Sequence, residues 1–147
     1  MKTVFTAVIM AASLASAGQA QTFGSVNLQA GFTPDPFRVA ITSGGTVNAS
    51  ALSNGCRGWM ANSMDYQVHY VAGSFNLSFS ATSSSDTTLL IQAPNGSIYC
   101  DDDSGNGLNP IVTIGNPMSG TYSVWVGSYQ SGEYARATLS ISELGRQ

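Results

Sequence analysis

Three carboxylates stand in a row at Asp101-Asp102-Asp103, directly after Cys100, in a chain of which only 9% is charged. Such a run suits either a bound cation or a set of backbone amides. In an extended chain, Asp101 and Asp103 point one way and Asp102 the other. Two carboxylates about 6 Å apart repel by roughly 3 kcal/mol at an effective dielectric near 20, and a bound cation removes that cost. Calcium takes roughly six to eight oxygen ligands from carboxylates, amides and backbone carbonyls. The loop offers Asp101, Asp102, Asp103, Ser104, Asn106 and Asn109. Read from Asp102, the order Asp102, Ser104, Asn106, Gly107 follows the front half of an EF-hand loop, but Thr113 stands where that loop needs Glu. Asp86 heads the strand that hairpins back to Cys100, which places it close to the loop. The expected metal site is therefore calcium at Asp86, Asp101, Asp102, Asp103 and Asn106. The competing reading is a solvated turn whose Asp and Asn side chains cap backbone amides.

Other chemistry is thin. The single histidine, His69, falls in the outward phase of a strand, and no serine sits in a G-x-S-x-G or Gly-Asp-Ser-Gly setting. A Ser-His-Asp triad needs three converging groups, and the proximity of Asp65 to His69 in sequence does not supply them. The acidic loop with Glu133 could in principle pair carboxylates for glycoside cleavage, but adjacent acids in one loop more often bind metal. Gly105-x-Gly107 lacks the following helix that a phosphate cradle requires. No catalytic residue is assigned, and the chain is expected not to be an enzyme.

The elements that must position the loop come next. Lys2, an uncharged apolar run over Val4 to Leu14, and A-x-A-type sites ending at Ala17 and Ala20 read as a secretory signal peptide over residues 1–20. That run is too short to span a bilayer. Residues 21–147 are then one domain, exported to the periplasm or beyond the cell, with no membrane insertion after cleavage. The formal net charge is -3, and no basic patch exists, so nucleic acid is not an expected partner. Cys56 and Cys100 are the only cysteines, and in an exported chain they are expected to form one disulfide.

Residues 21–36 read as an irregular N-terminal arm broken by Gly31, Pro34 and Pro36. From Phe37 the period turns to two. Phe37, Val39 and Ile41 alternate with polar neighbours, as do Tyr66/Val68/Tyr70, Phe75/Leu77/Phe79, Leu89/Ile91, Tyr122/Val124/Val126 and Ala137/Leu139/Ile141. Asn95-Gly96 is a strong hairpin signal. Turn residues recur every ~8–12 positions with no helical period, which predicts an all-β fold: an antiparallel, jelly-roll-like β-sandwich of about eight strands. Leu90 and Trp125 break the alternation in the outward phase. With Trp59 they form a possible binding surface, unless Trp59, Met60 and the N-terminal arm cover them.

Residues 86–127, DTTLLIQAPNGSIYCDDDSG…NPIVTI…NPMSGTYSVWVG, together with the flanking stretch over 65–142, resemble bacterial pre-peptidase C-terminal (PPC) domains. Gly31-Phe32-Thr33-Pro34-Asp35-Pro36 is similar to an element in a group of small exported bacterial proteins. The resemblance implies a jelly-roll-like sandwich used for secretion, targeting or matrix binding, in some relatives with calcium. The function expected is an exported, non-catalytic binding or accessory module for a polymer, a glycan or an envelope protein. The alternatives are a secreted hydrolase or peptidase-associated protein, and a structural subunit that assembles through strand edges.

Overall fold

Period-two alternation gives each strand one apolar face, and the chain closes two sets of such faces on each other. A computed structural model describes residues 22–145; the signal peptide expected at 1–20 lies outside them. In chain order the strands are β1 (Ser25–Gln29), β2 (Phe37–Thr42), β3 (Val47–Asn48), β4 (Trp59–Met60), β5 (Tyr66–Val71), β6 (Leu77–Ser83), β7 (Thr87–Gln92), β8 (Ile98–Asp101), β9 (Ile111–Ile114), β10 (Gly120–Ser128) and β11 (Arg136–Ser142), with a 3-10 turn at Ala49–Ala51. They form an all-β sandwich of a seven-stranded and a four-stranded sheet.

The larger sheet runs β1-β5-β10-β7-β8, with β4 and β3 continuing along the β5 side of β10. The smaller runs β2-β11-β6-β9. Between them lie Val68, Tyr70, Leu89, Ile91, Tyr122, Val124 and Val126 from one sheet and Ile41, Leu77, Phe79, Leu139 and Ile141 from the other. Phe79 packs on Tyr122 with ring centroids 5.7 Å apart, and Tyr70 meets Tyr122 edge-on. The Asn95-Gly96 hairpin forms as expected: Gly96 takes φ 86, and Ala93 N–H donates to the Ser97 carbonyl.

Two expectations are corrected. The structure has eleven strands rather than about eight, and the arm at 21–36 is not irregular throughout. Its residues Ser25–Gln29 pair with β5, in register from Ser25 opposite Gln67 to Gln29 opposite Val71. That ladder is parallel, so the sandwich is not purely antiparallel. Only Val26 and Leu28 carry the alternation there, and its stability comes from a sheet edge remote in sequence, not from a local hairpin.

Strand directions place the loops at two ends. One end holds the residues before β1, the β2–β3 turn, the segment from the 3-10 turn to β5, and the β6–β7, β8–β9 and β10–β11 connections. This is the end the acidic loop belongs to.

Candidate functional site

Strand β8 lies at an edge of the larger sheet and β9 at an edge of the smaller, so residues 102–110 carry the chain across the rim. Asp101 ties both ends of that crossing. Its Oδ2 accepts the N–H of Ser104 at 2.9 Å and of Ile111 at 2.9 Å, and its Oδ1 accepts the Ser104 hydroxyl at 2.6 Å. Asn109 works alongside: its carbonyl accepts the Gly105 N–H and its Oδ1 accepts the N–H of Ser83. Asp101 is therefore engaged in closing the loop. Asp101→Ala should cost about 2 kcal/mol, because it strands amides that a charged acceptor now satisfies. Amide exchange at Ser104 and Ile111 should accelerate while the core strands keep their protection; unchanged exchange there would contradict this role.

Asp102 Oδ2 lies 3.6 Å from Arg57 Nη1, an ion pair between an exposed arginine and a half-buried aspartate, and such rim pairs contribute little to stability. Asp103 and Asn106 are exposed, and the Asn106 backbone carbonyl accepts the Asn109 side-chain amide. Asp86 has one oxygen, Oδ1, buried without a hydrogen-bond partner. Burial first, then the carboxylates of Asp103, Asp102 and Glu133, push Asp86 above the usual carboxylate range. Asp86, Asp102, Asp103 and Glu133 thus share one electrostatic neighbourhood. Among the described residues, no three His, Cys, Asp or Glu side chains stand close enough together to hold a metal ion.

The distribution of acidic residues between the two ends is lopsided, with Arg57 and Arg136 also at the acidic loop end. Of the chain's eight acidic residues, Asp65, Asp86, Asp101, Asp102, Asp103 and Glu133 lie at the acidic loop end and only Asp35 and Glu143 at the other. Glu143 accepts the Gly31 N–H and the Tyr70 hydroxyl, and Asp35 accepts the Glu143 N–H through Oδ2 while its Oδ1 is buried without a partner. Leu52, Leu108, Tyr129 and Tyr134 are exposed among the acids.

Leu90 does not contribute to a surface, which corrects part of the expected patch: it is 0% exposed. Trp125, Leu90 and Cys100 form one cross-strand row on the outer face of β10, β7 and β8. The Cys56–Cys100 disulfide is formed. It draws the segment around the 3-10 turn over that row, so that Ala49, Cys56 and Met60 bury Leu90 and pack on Trp125. Gly58 permits the approach, since a Cβ there would lie 2.3 Å from Thr88 Oγ1. The N-terminal arm takes no part in this cover; it lies along β5. Trp59 and Trp125 stay partly exposed, and Trp125 Nε1 is buried without a partner.

Asp65, which the sequence offered only as a neighbour of His69, has a different place. The chain beside β10 is interrupted between β4 and β5, and Asp65 fills the gap. Its N–H donates to the Val124 carbonyl at 2.8 Å, and its Oδ2 accepts the Val126 N–H at 2.7 Å, where a strand carbonyl would otherwise stand. The residue is 2% exposed, and burial pushes its carboxyl up to about 7, against the smaller opposing effect of the Val126 N–H. It lines a hollow of about 330 Å³ with Phe23, Ala61, Gly44, Gly45 and Tyr134. An Asp at the head of a cleanly alternating strand is the signal that could have marked it. His69 does not approach it: Nδ1 of His69 lies 2.9 Å from Thr121 Oγ1, four residues and roughly 13 Å along the strand.

No family model and no curated protein sequence matches the chain. Among solved structures, it is similar to PliG, a periplasmic lysozyme inhibitor of g-type lysozyme from Aeromonas hydrophila, at 18% identity and a TM-score of 0.39, over 80% of this chain and 96% of that one.

Proposed function

We propose that the protein is an exported, non-catalytic β-sandwich module that docks a basic surface of an envelope protein against its acidic loop end. The carrying observation is the gathering of six of the chain's eight acidic residues at that end, Asp65, Asp86, Asp101, Asp102, Asp103 and Glu133, among exposed Leu52, Leu108, Tyr129 and Tyr134. Acids with interspersed aromatic and aliphatic groups give a surface both steering and adhesion toward a cationic partner. The oxidised cysteines and a histidine bonded to Thr121 support the non-catalytic side of the reading. The resemblance of residues 65–142 to PPC domains supports the accessory side.

The test is binding to a panel of basic proteins, a g-type lysozyme among them, with acidic proteins as controls. At least one basic protein should bind, and its affinity should fall about tenfold or more on raising salt from ~50 to ~300 mM. A triple Asp102→Asn, Asp103→Asn, Glu133→Gln variant should lose a similar factor, mostly through slower association. Salt-independent binding, or an unaffected variant, would sink the proposal.

Calcium is a separate part of it. With Asp101 engaged by Ser104 and Ile111, and no three acids among the described residues standing close enough to hold an ion, a calcium ion would have to draw Asp86, Asp102 and Asp103 together on binding. Millimolar calcium against chelator should raise the melting temperature by a few degrees or more, by about RT ln(1 + [L]/Kd) of added stability; an unchanged melt removes calcium from the account.

A further inference from the structure

We propose that the hollow over Asp65 is a receptor for the cationic head of a basic side chain, a guanidinium or an ammonium, carried by the docking partner. This rests on reading the loop end as a surface for a basic protein, and it names the group that surface takes in.

Asp65, which lines the hollow, is 2% exposed. One oxygen is held by the Val126 N–H, and no charged side chain is coupled to the group. The ion pair among the described residues, Arg57 with Asp102, lies elsewhere on the rim. Arg136 lines the neighbouring hollow beside Thr42 and makes no ion pair with Asp65. Buried carboxylates are ordinarily paired or neutralised, and one without a counter-charge at the base of an open hollow marks a place where a counter-charge is missing.

The walls suit such a guest. Phe23 and Tyr134 offer aromatic surface, which attracts cations through the ring quadrupole, and Ala61 with the Gly44–Gly45 backbone suits an aliphatic stem. Tyr134, 59% exposed, stands at the rim where an incoming side chain passes. The volume of about 330 Å³ falls within the usual range for small-ligand sites, about 300–1,000 Å³. Gly44 and Gly45 are packed closely on their other sides: a Cβ at Gly44 would lie 2.2 Å from the Glu133 carbonyl, and one at Gly45 would lie 2.0 Å from Met60 backbone.

The carboxyl titrates at about 7, so a cation that binds only its charged form must displace a proton in the neutral range. The other titratable groups on packed elements are Tyr66 on its own strand and Glu133 and Tyr134 from the β10–β11 connection. Burial raises the Tyr66 hydroxyl above its usual range.

The probe is n-butylguanidinium, with neutral n-butylurea as the isostere, titrated into the full domain and followed by amide NMR shifts. The guanidinium should saturate on the order of 1–10 mM, with shifts centred on Phe23, Gly44, Gly45 and Val126. The urea should not. Affinity should rise about tenfold from about pH 6 to about pH 8, following ionisation of one group near neutrality. Asp65→Asn keeps an acceptor for Val126 N–H and should bind the probe at least ten times more weakly. Should that variant not fold, Tyr134→Ala, altered only at the exposed rim, should still weaken the probe several-fold. Equal response to the urea, shifts centred elsewhere, or a pH-independent affinity would overturn the proposal. Retention of a basic protein that Asp65→Asn leaves unchanged would overturn the hollow while leaving the docking surface standing. Probe binding without retention of any basic protein would do the reverse.

Discussion

Replacing Cys56 and Cys100 together by serine should lower the melting temperature by about 15 °C. The bridge closes a loop with a sequence separation of 44, and removing such a constraint from the unfolded chain costs roughly 4 kcal/mol in the chain-entropy description. The local effect adds to it. Cys56 is part of the small apolar cluster that holds Leu90 out of water, and a serine there buries a hydroxyl in its place. The loss should therefore show first in the cover over the outer face: Trp59 and Trp125 fluorescence should shift to the red before the β signal melts. The sandwich core, which does not contain the bridge, should still form at low temperature. A melting temperature within a few degrees of the wild type would show that the cover holds without its bridge.

Asp65→Asn should have the opposite sign, and only above acidic pH. The folded carboxyl titrates at about 7 against the usual aspartate value of 3.8. The folded state therefore keeps a proton that the unfolded chain gives up between about pH 4 and about pH 7. Wild-type stability is full below that window, falls as pH rises through it, and is flat above. The asparagine variant has no such loss, and its Oδ1 can still accept the Val126 N–H. At about pH 8 it should be more stable by up to ~4 kcal/mol, shrinking to nothing near pH 4. Denaturant melts of both proteins across this range read the gap directly, and parallel curves would contradict the burial-driven titration. A group that weakens its own fold at neutral pH is the kind retained for what it binds.

Much of this architecture is legible in the chain. The core-facing residues of β5, β6, β7, β10 and β11 follow from alternation: Tyr66/Val68/Tyr70, Leu77/Phe79, Leu89/Ile91, Tyr122/Val124/Val126 and Ala137/Leu139/Ile141 are all buried. The Asn95-Gly96 hairpin and the two cysteines in an exported chain read equally well. Other features were hidden for physical reasons. β1 has only Val26 and Leu28 to show, and its partner strand lies some forty residues on and parallel to it (roughly, by the register of Ser25 with Gln67). Leu90 looks surface-directed by phase, and only the third member of its row, Cys100, hints that a tethered segment covers it. The three adjacent aspartates look alike in sequence, yet Asp101 differs from Asp102 and Asp103 because Ile111, at the start of β9, returns to meet it. Asp65 carries no period at all. Its role as a stand-in for a strand carbonyl depends on where β10 runs.

The claim that the acidic loop end is the working face is most directly tested by hydrogen-exchange footprinting of the complex with the tightest-binding basic protein of the panel. The account predicts slowed exchange at residues 43–46, 83–86, 102–108 and 129–135, with the opposite end, residues 72–76 and 115–119, unchanged. Protection centred on that opposite end, or on the outer face of β2, β11 and β6, would contradict it.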